Sequence, residues 1–221
     1  MPSPNGLGLE FQACYNSRSS ETSDLGPGWS HTYSSFLDPA FSMGDWALLR
    51  ILDGTGRGRY FEESATGVYS GVFHERTRVV EEAEGYVWYR LDVTRLCFEE
   101  SGRLLWIEDE KENRLTLAYD VDDNLQYVTD EASGRVLGFV HNADGTLNRI
   151  TGPVVPAVPD GIWASFTYTG GNLSDVTYAD GSGFTYAYTD AGDSNNLTEK
   201  RNRAGHLINT WSYDAQDRAV A

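Results

Sequence analysis

The sequence predicts an all-β fold: tandem β-hairpins joined into one large, twisted and curved sheet. Three observations carry this. The chain of 221 residues holds 23 Gly, 13 Tyr, 9 Phe and 6 Trp, many of them in Thr/Val/Leu-rich stretches, with no long apolar stripe at helical spacing. Aromatic and β-branched residues punctuated by Gly, Asp and Asn are what strands and tight turns favour. Apolar residues alternate over short runs, and a phrase of aromatic, polar turn and leucine recurs at an almost constant period.

The repeat occupies residues 98–221. Its copies read Phe98-EESGR-Leu104, Tyr119-DVDDN-Leu125, His141-NADGT-Leu147, Tyr168-TGGN-Leu173, Tyr188-TDAGDSNN-Leu197 and Tyr213-DAQDR-Ala219. The closing positions 104, 125, 147, 173, 197 and 219 lie 21, 22, 26, 24 and 22 residues apart. Alternation in Leu115-Thr-Leu117-Ala-Tyr119 and Phe184-Thr-Tyr186-Ala-Tyr188 is that of a strand with one buried face. Gly102, Asp123, Gly145, Gly171 and Asp217 are expected to take the positive φ that a hairpin turn requires. After the turn come the pairs Leu104/Ile107, Leu125/Val128, Leu147/Ile150 and Leu173/Val176. A spacing of three puts such pairs on opposite faces of a regular strand, so either both faces pack or a bulge intervenes. The fifth copy places Lys200 where the others have an apolar residue and lengthens its turn, which predicts an irregular or solvent-facing hairpin. Pro153-VVPAVPD-Gly161 reads as an exposed connection, because three prolines remove three ladder donors.

Upstream, residues 41–97 continue the alternation in Trp46-ALLRI-Leu52, Arg59-Tyr-Phe61 and Tyr86-VWYR-Leu91, with turn signals between, and predict further strands. Residues 1–40 form a distinct entry segment. It contains Tyr15-Asn-Ser-Arg18-Ser19 and Leu25-Gly-Pro-Gly-Trp29-Ser-His31-Thr-Tyr33, in which Trp29, His31 and Tyr33 alternate onto one face beyond a Gly-Pro-Gly turn. Two readings follow: an aromatic strand capping the sheet with its imidazole hydrogen-bonded in place, or a platform on which a ligand such as a sugar stacks. Trp211 and Tyr213 in the last copy are candidates for the same ligand or interface role.

The formal net charge of −16, from 33 acidic and 17 basic residues, repels phosphate backbones and anionic bilayers, which argues against nucleic-acid partners. No apolar run approaches membrane-spanning length and no signal peptide is visible. Asp120, Asp122, Asp123 and Asp130 cluster without the spacing of a calcium loop. Cys14 and Cys97 are expected to be free, buried thiols, with a disulfide between them as the alternative. No catalytic residue, metal site or cofactor is expected. Asp53-Gly-Thr-Gly56 only loosely matches an aspartic-protease motif and has no second copy, and His31, His74, His141 and His206 lie at no ligand spacing. The Asp of each Tyr-Asp pair is expected to accept turn N–H groups, since Asn142, Thr169 and Thr189 hold that place in three copies.

The entry segment and the first hairpin, Phe98-EESGRLLWIEDEKEN-Arg114, together resemble the bacterial rearrangement-hotspot (Rhs)/YD-repeat family. The resemblance implies that the curved sheet is part of a hollow β-shell. It also implies a structural role, as wall around a C-terminal toxin or effector, with the rest of the shell or that effector as partner. The alternative it offers is a carbohydrate- or cell-surface-binding module using exposed aromatics. About six repeats are too few to close a shell, which implies an N-terminal piece or a short member, exported or surface-borne from a bacterial cytoplasm. The last strand is expected to lack a neighbour, so the isolated chain is expected to self-associate through its C-terminal sheet edge.

Overall fold

The computed structural model describes residues 7–220, and among them every regular element is a strand. One antiparallel sheet of 17 strands dominates, each strand pairing with the next in sequence. It runs from Phe36–Asp38 through Leu49–Leu52, Gly58–Ala65, Val68–Gly71, Arg78–Glu82, Gly85–Tyr89, Arg95–Phe98, Leu104–Glu108, Arg114–Tyr119, Leu125–Asp130, Arg135–His141, Leu147–Thr151, Ile162–Thr169, Asn172–Tyr178, Gly183–Ala187 and Glu199–Asn202 to Leu207–Thr210. No ladder joins Leu207–Thr210 to Phe36–Asp38, so the sheet is not a closed barrel. It curls onto itself part-way instead. Phe36 bridges to Arg103, and the Leu37 N–H donates to the Gly102 carbonyl at 2.9 Å. The first eight strands thus make one turn, and the later hairpins lead on from it.

The first five repeats form the hairpins their spacing predicts. The aromatic of each of the first four copies faces its leucine directly: Phe98↔Leu104, Tyr119↔Leu125, His141↔Leu147 and Tyr168↔Leu173. The sixth is reduced to a single bridge, Tyr213↔Ala219. All five expected turn residues have positive φ, including the two that are not glycine, Asp123 at 65° and Asp217 at 54°. The three-residue spacing resolves as a bulge. Leu125 pairs with Tyr119 and Tyr127 with Ala118, leaving Gln126 as the extra residue; Leu105, Asn148 and Ser174 are extra in the same way. The extra residue reverses the alternation once, so Leu125 and Val128 both turn to the core.

That core is one cluster. It gathers the repeat leucines 104, 125, 147, 173 and 197 with Leu9, Leu25, Trp29 and Tyr33 of the entry segment. The entry segment folds as two small ribbons, Ala13–Tyr15 with Trp29–His31 and Thr22–Ser23 with Gly26–Pro27, packed on the inner face of the sheet. A separate small cluster of Val87, Cys97 and Trp106 lies apart from it, with the Arg114 guanidinium 4.1 Å from the Trp106 ring centre. Cys97 is buried, which pushes its thiol up to about 12; Cys14 is half-buried, and both cysteines are free.

Two stretches differ from the sequence reading. Trp46–Leu52 is not one strand: Trp46–Ala47 turns back on Ser42–Met43, and Leu49–Leu52 joins the sheet. The interruption is local, because the Leu48 N–H is held by the Phe41 carbonyl. The proline-rich connection bridges Leu147–Thr151 and Ile162–Thr169 as expected, but it tucks Val158 inward to 5% exposure. The fifth hairpin is irregular, its long turn held by Asn196, whose amide donates to Asp190 and Asp217.

Candidate functional site

The structure brings together residues that the sequence leaves 117 positions apart. Asp24 follows the Thr22–Ser23 ribbon and projects its carboxylate between two imidazoles. His31 Nε2 lies 3.0 Å from Oδ1 and His141 Nε2 lies 3.2 Å from Oδ2. The Asp24 main chain is engaged as well: its carbonyl accepts from the Leu147 N–H at 2.7 Å and from the Tyr168 hydroxyl at 3.1 Å. One entry-segment residue therefore holds the third and fourth repeats. Burial alone would push the Asp24 carboxyl up, but the two imidazoles overcome it and hold the group well below the usual carboxylate range.

The His31 tautomer follows from its other nitrogen. The Tyr33 N–H donates to Nδ1 at 3.2 Å, so Nδ1 carries a lone pair and Nε2 carries the proton, donated to Asp24. A protonated Nε2 has no lone pair for a cation, although Asp24 and both histidines border a cavity of about 650 Å³. Among the described residues no group of three or more His, Cys, Asp or Glu is arranged to hold a metal. Nor, among the described residues, does any hydroxyl or thiol hydrogen-bond to either imidazole. Chemically the trio is a polar clasp between entry segment and repeats.

A second series of contacts joins repeat to repeat. The Tyr119 hydroxyl donates to the Leu104 carbonyl at 2.8 Å, Tyr168 to Leu147 at 2.9 Å, Tyr188 to Leu173 at 2.8 Å and Tyr213 to Leu197 at 2.6 Å. Each tyrosine thereby closes on the leucine of the copy before it. Burial pushes all four phenols upward, Tyr213 to about 12, which keeps the donor proton in place. His141 holds the third place in this ladder and reaches Asp24 instead. The Asp that follows Tyr119 and Tyr213 is a turn residue: the Asp120 carboxylate accepts from the Asp122 and Asn124 N–H groups, and Asp214 from those of Gln216 and Arg218. Asp53 is likewise tied to Thr55, Arg57 and Arg59.

Tyr188 has a double role, since its oxygen also accepts the Trp29 indole N–H at 2.8 Å. Tyr188→Phe should cost about 2 kcal/mol in urea unfolding, because it removes two bonds and leaves a buried indole donor unpaired. Tyr119→Phe, which loses a single bond, should cost about 1 kcal/mol.

The other sequence candidates fall into two groups. Trp29, His31 and Tyr33 are buried to 6%, 2% and 2% exposure, so they form no exposed stacking platform; they are core, packed against Tyr186, Phe139 and one another. Trp211 and Tyr213 are half-buried and line, with Trp29, a groove of about 660 Å³ between the entry segment and the last hairpins. His74 and His206 stay on exposed turns away from the clasp. The Asp24 clasp was not visible in sequence; its one trace was a histidine where four of the six copies carry tyrosine.

Residues 1–61 match the family profile described as Domain of unknown function (DUF6531), which covers the entry segment and the first strands of the sheet. No curated protein matches the chain.

Proposed function

We propose that this chain is a stretch of wall from an Rhs/YD-repeat β-shell that encloses a C-terminal toxin or effector. The observation that carries the reading is the form of the sheet. Consecutive hairpins curl through a full turn onto Gly102, lead on through copies latched by tyrosine, and end at Leu207–Thr210, whose outer edge has no partner strand among the described residues. Such an edge presents a row of N–H and C=O groups ready to accept the next strand. The entry segment supports the reading from inside: it packs on the inner face and is pinned to the third, fourth, fifth and sixth repeats through Asp24, Tyr15 and Ser17. The burial of Trp29, His31 and Tyr33 leaves Trp211 and Tyr213, half-buried in the groove, as the sequence candidates for the alternative carbohydrate-binding reading.

Electron cryomicroscopy of the product of the complete gene tests this. A further strand beside Leu207–Thr210 and a wall enclosing density for a separate domain are expected. A bare edge there, or no enclosed volume, would refute the proposal.

A further inference from the structure

The groove beside the open edge is lined by half-buried and exposed hydrogen-bonding side chains that pair with no other described residue. Of the six tryptophans, five have an acceptor for the indole N–H: Trp29 the Tyr188 oxygen, Trp46 Glu62, Trp88 Thr77, Trp106 Glu84 and Trp163 the Pro153 carbonyl. Trp211 has none among the described residues, and its side chain lines the groove. Lys200 lines it too. No carboxylate among the described residues pairs with that ammonium, which sits 3.9 Å from the Phe184 ring centre and 6.0 Å from that of Tyr186. Burial against those rings disfavours the charged form of Lys200. The hydroxyl of Tyr186 and the amide of Asn209, directly across from Lys200, complete the polar lining and pair with no side chain among the described residues.

Trp and Lys side chains can only donate. Lining the same aromatic-walled groove, they suit an acceptor that carries negative charge and an apolar flank. Asn209 and Ile208 belong to the edge strand Leu207–Thr210, so the groove is continuous with unpaired main chain. A second copy meeting this chain edge to edge would offer Leu207, Ile208, Asn209 and Thr210, none of them acidic.

We propose that the groove formed by Trp211, Lys200, Tyr186 and Asn209 receives a carboxylate side chain from an extended polypeptide that adds as a strand to Leu207–Thr210. This rests on the reading of that edge as the place where the sheet continues, and names the chemistry of what continues it: an Asp or Glu flanked by apolar residues, turned toward the inner face. Main-chain pairing then supplies the general affinity, and the carboxylate selects the partner.

The test titrates the intact, isotope-labelled chain with the blocked peptide Thr-Val-Thr-Glu-Val-Thr-Val, with its Gln counterpart and with free N-acetylglutamate, followed by nuclear magnetic resonance. The Glu peptide should move the Trp211 indole N–H and the amides of residues 207–210. The Gln peptide should bind about tenfold more weakly. Lys200→Met should remove that difference while leaving Gln-peptide binding unchanged, and Trp211→Phe should weaken the Glu peptide with the fold intact. Equal affinity for Glu and Gln peptides, with the edge amides shifting, would overturn the carboxylate assignment and leave the edge reading standing. Failure of both peptides to move the edge amides would overturn both. N-acetylglutamate binding as tightly as the Glu peptide would show a small-acid site and overturn the polypeptide assignment.

Discussion

Asp24→Asn should destabilise the chain by about 3 kcal/mol, one of the two largest effects expected of a single substitution. The carboxylate accepts from two nearly inaccessible imidazoles, His31 at 2% and His141 at 6% side-chain exposure. An amide of the same shape can accept from one and must turn its NH₂ toward the other, setting donor against donor. The effect also has a pH signature. Because the folded carboxyl is held below its ordinary value of 3.8, the unfolded chain takes up this proton first as the solution is acidified. The stabilisation is therefore complete above about pH 4 and lost progressively below it, as the pH falls toward the folded value. Urea unfolding at pH 7 and at pH 3 should show the gap between wild type and Asp24→Asn narrowing at the lower pH. A gap that stays constant would mean that the charge on Asp24 contributes nothing.

Gly102→Ala should match it, at about 3 kcal/mol, through an unrelated cause. Gly102 has φ of 97°, which an L residue adopts only under strain, and a Cβ there would lie 2.0 Å from the Leu37 carbonyl oxygen. That contact is where the curling sheet meets its own first strand, so relief requires Phe36–Asp38 to move away. Gly134→Ala separates the two contributions. Gly134 has φ of 66° with nothing within 4 Å of the added carbon, so its cost should stay near 1 kcal/mol. Equal costs at the two positions would show that the sheet does not close on Gly102.

These two sites mark the boundary of what the sequence discloses. Hairpin identity, turn residues and the place of the proline connection were legible because each depends on a few neighbouring residues. Asp123 and Asp217 could be assigned positive φ from the turn alone, and both have it. The three-residue spacing of Leu125 and Val128 even announced that something irregular must follow the turn. What stayed hidden depends on register between copies. The direction of each tyrosine hydroxyl, toward the leucine of the preceding copy, follows only once the bulges have set how far one hairpin is staggered on the next. The Asp24 clasp joins the entry segment to the third repeat, and no periodicity links them. Burial of Trp29, His31 and Tyr33, with the His31 ring hydrogen-bonded in place, matches one of the two readings the sequence left open, since alternation shows that three rings share a face but not whether that face is covered.

The open edge at Leu207–Thr210 is the claim on which the account turns, and light scattering coupled to size exclusion tests it most directly. Leu207 and Ile208 are 50% and 45% exposed on that edge, and strand addition between copies acts at contact, where a net charge of −16 is screened beyond about 8 Å at physiological salt. The chain alone should therefore exceed the monomer mass at tens of micromolar concentration, and Ile208→Lys, which sets a charge on the edge, should return it to a monomer. A wild-type chain that remains strictly monomeric would contradict an edge able to accept another strand.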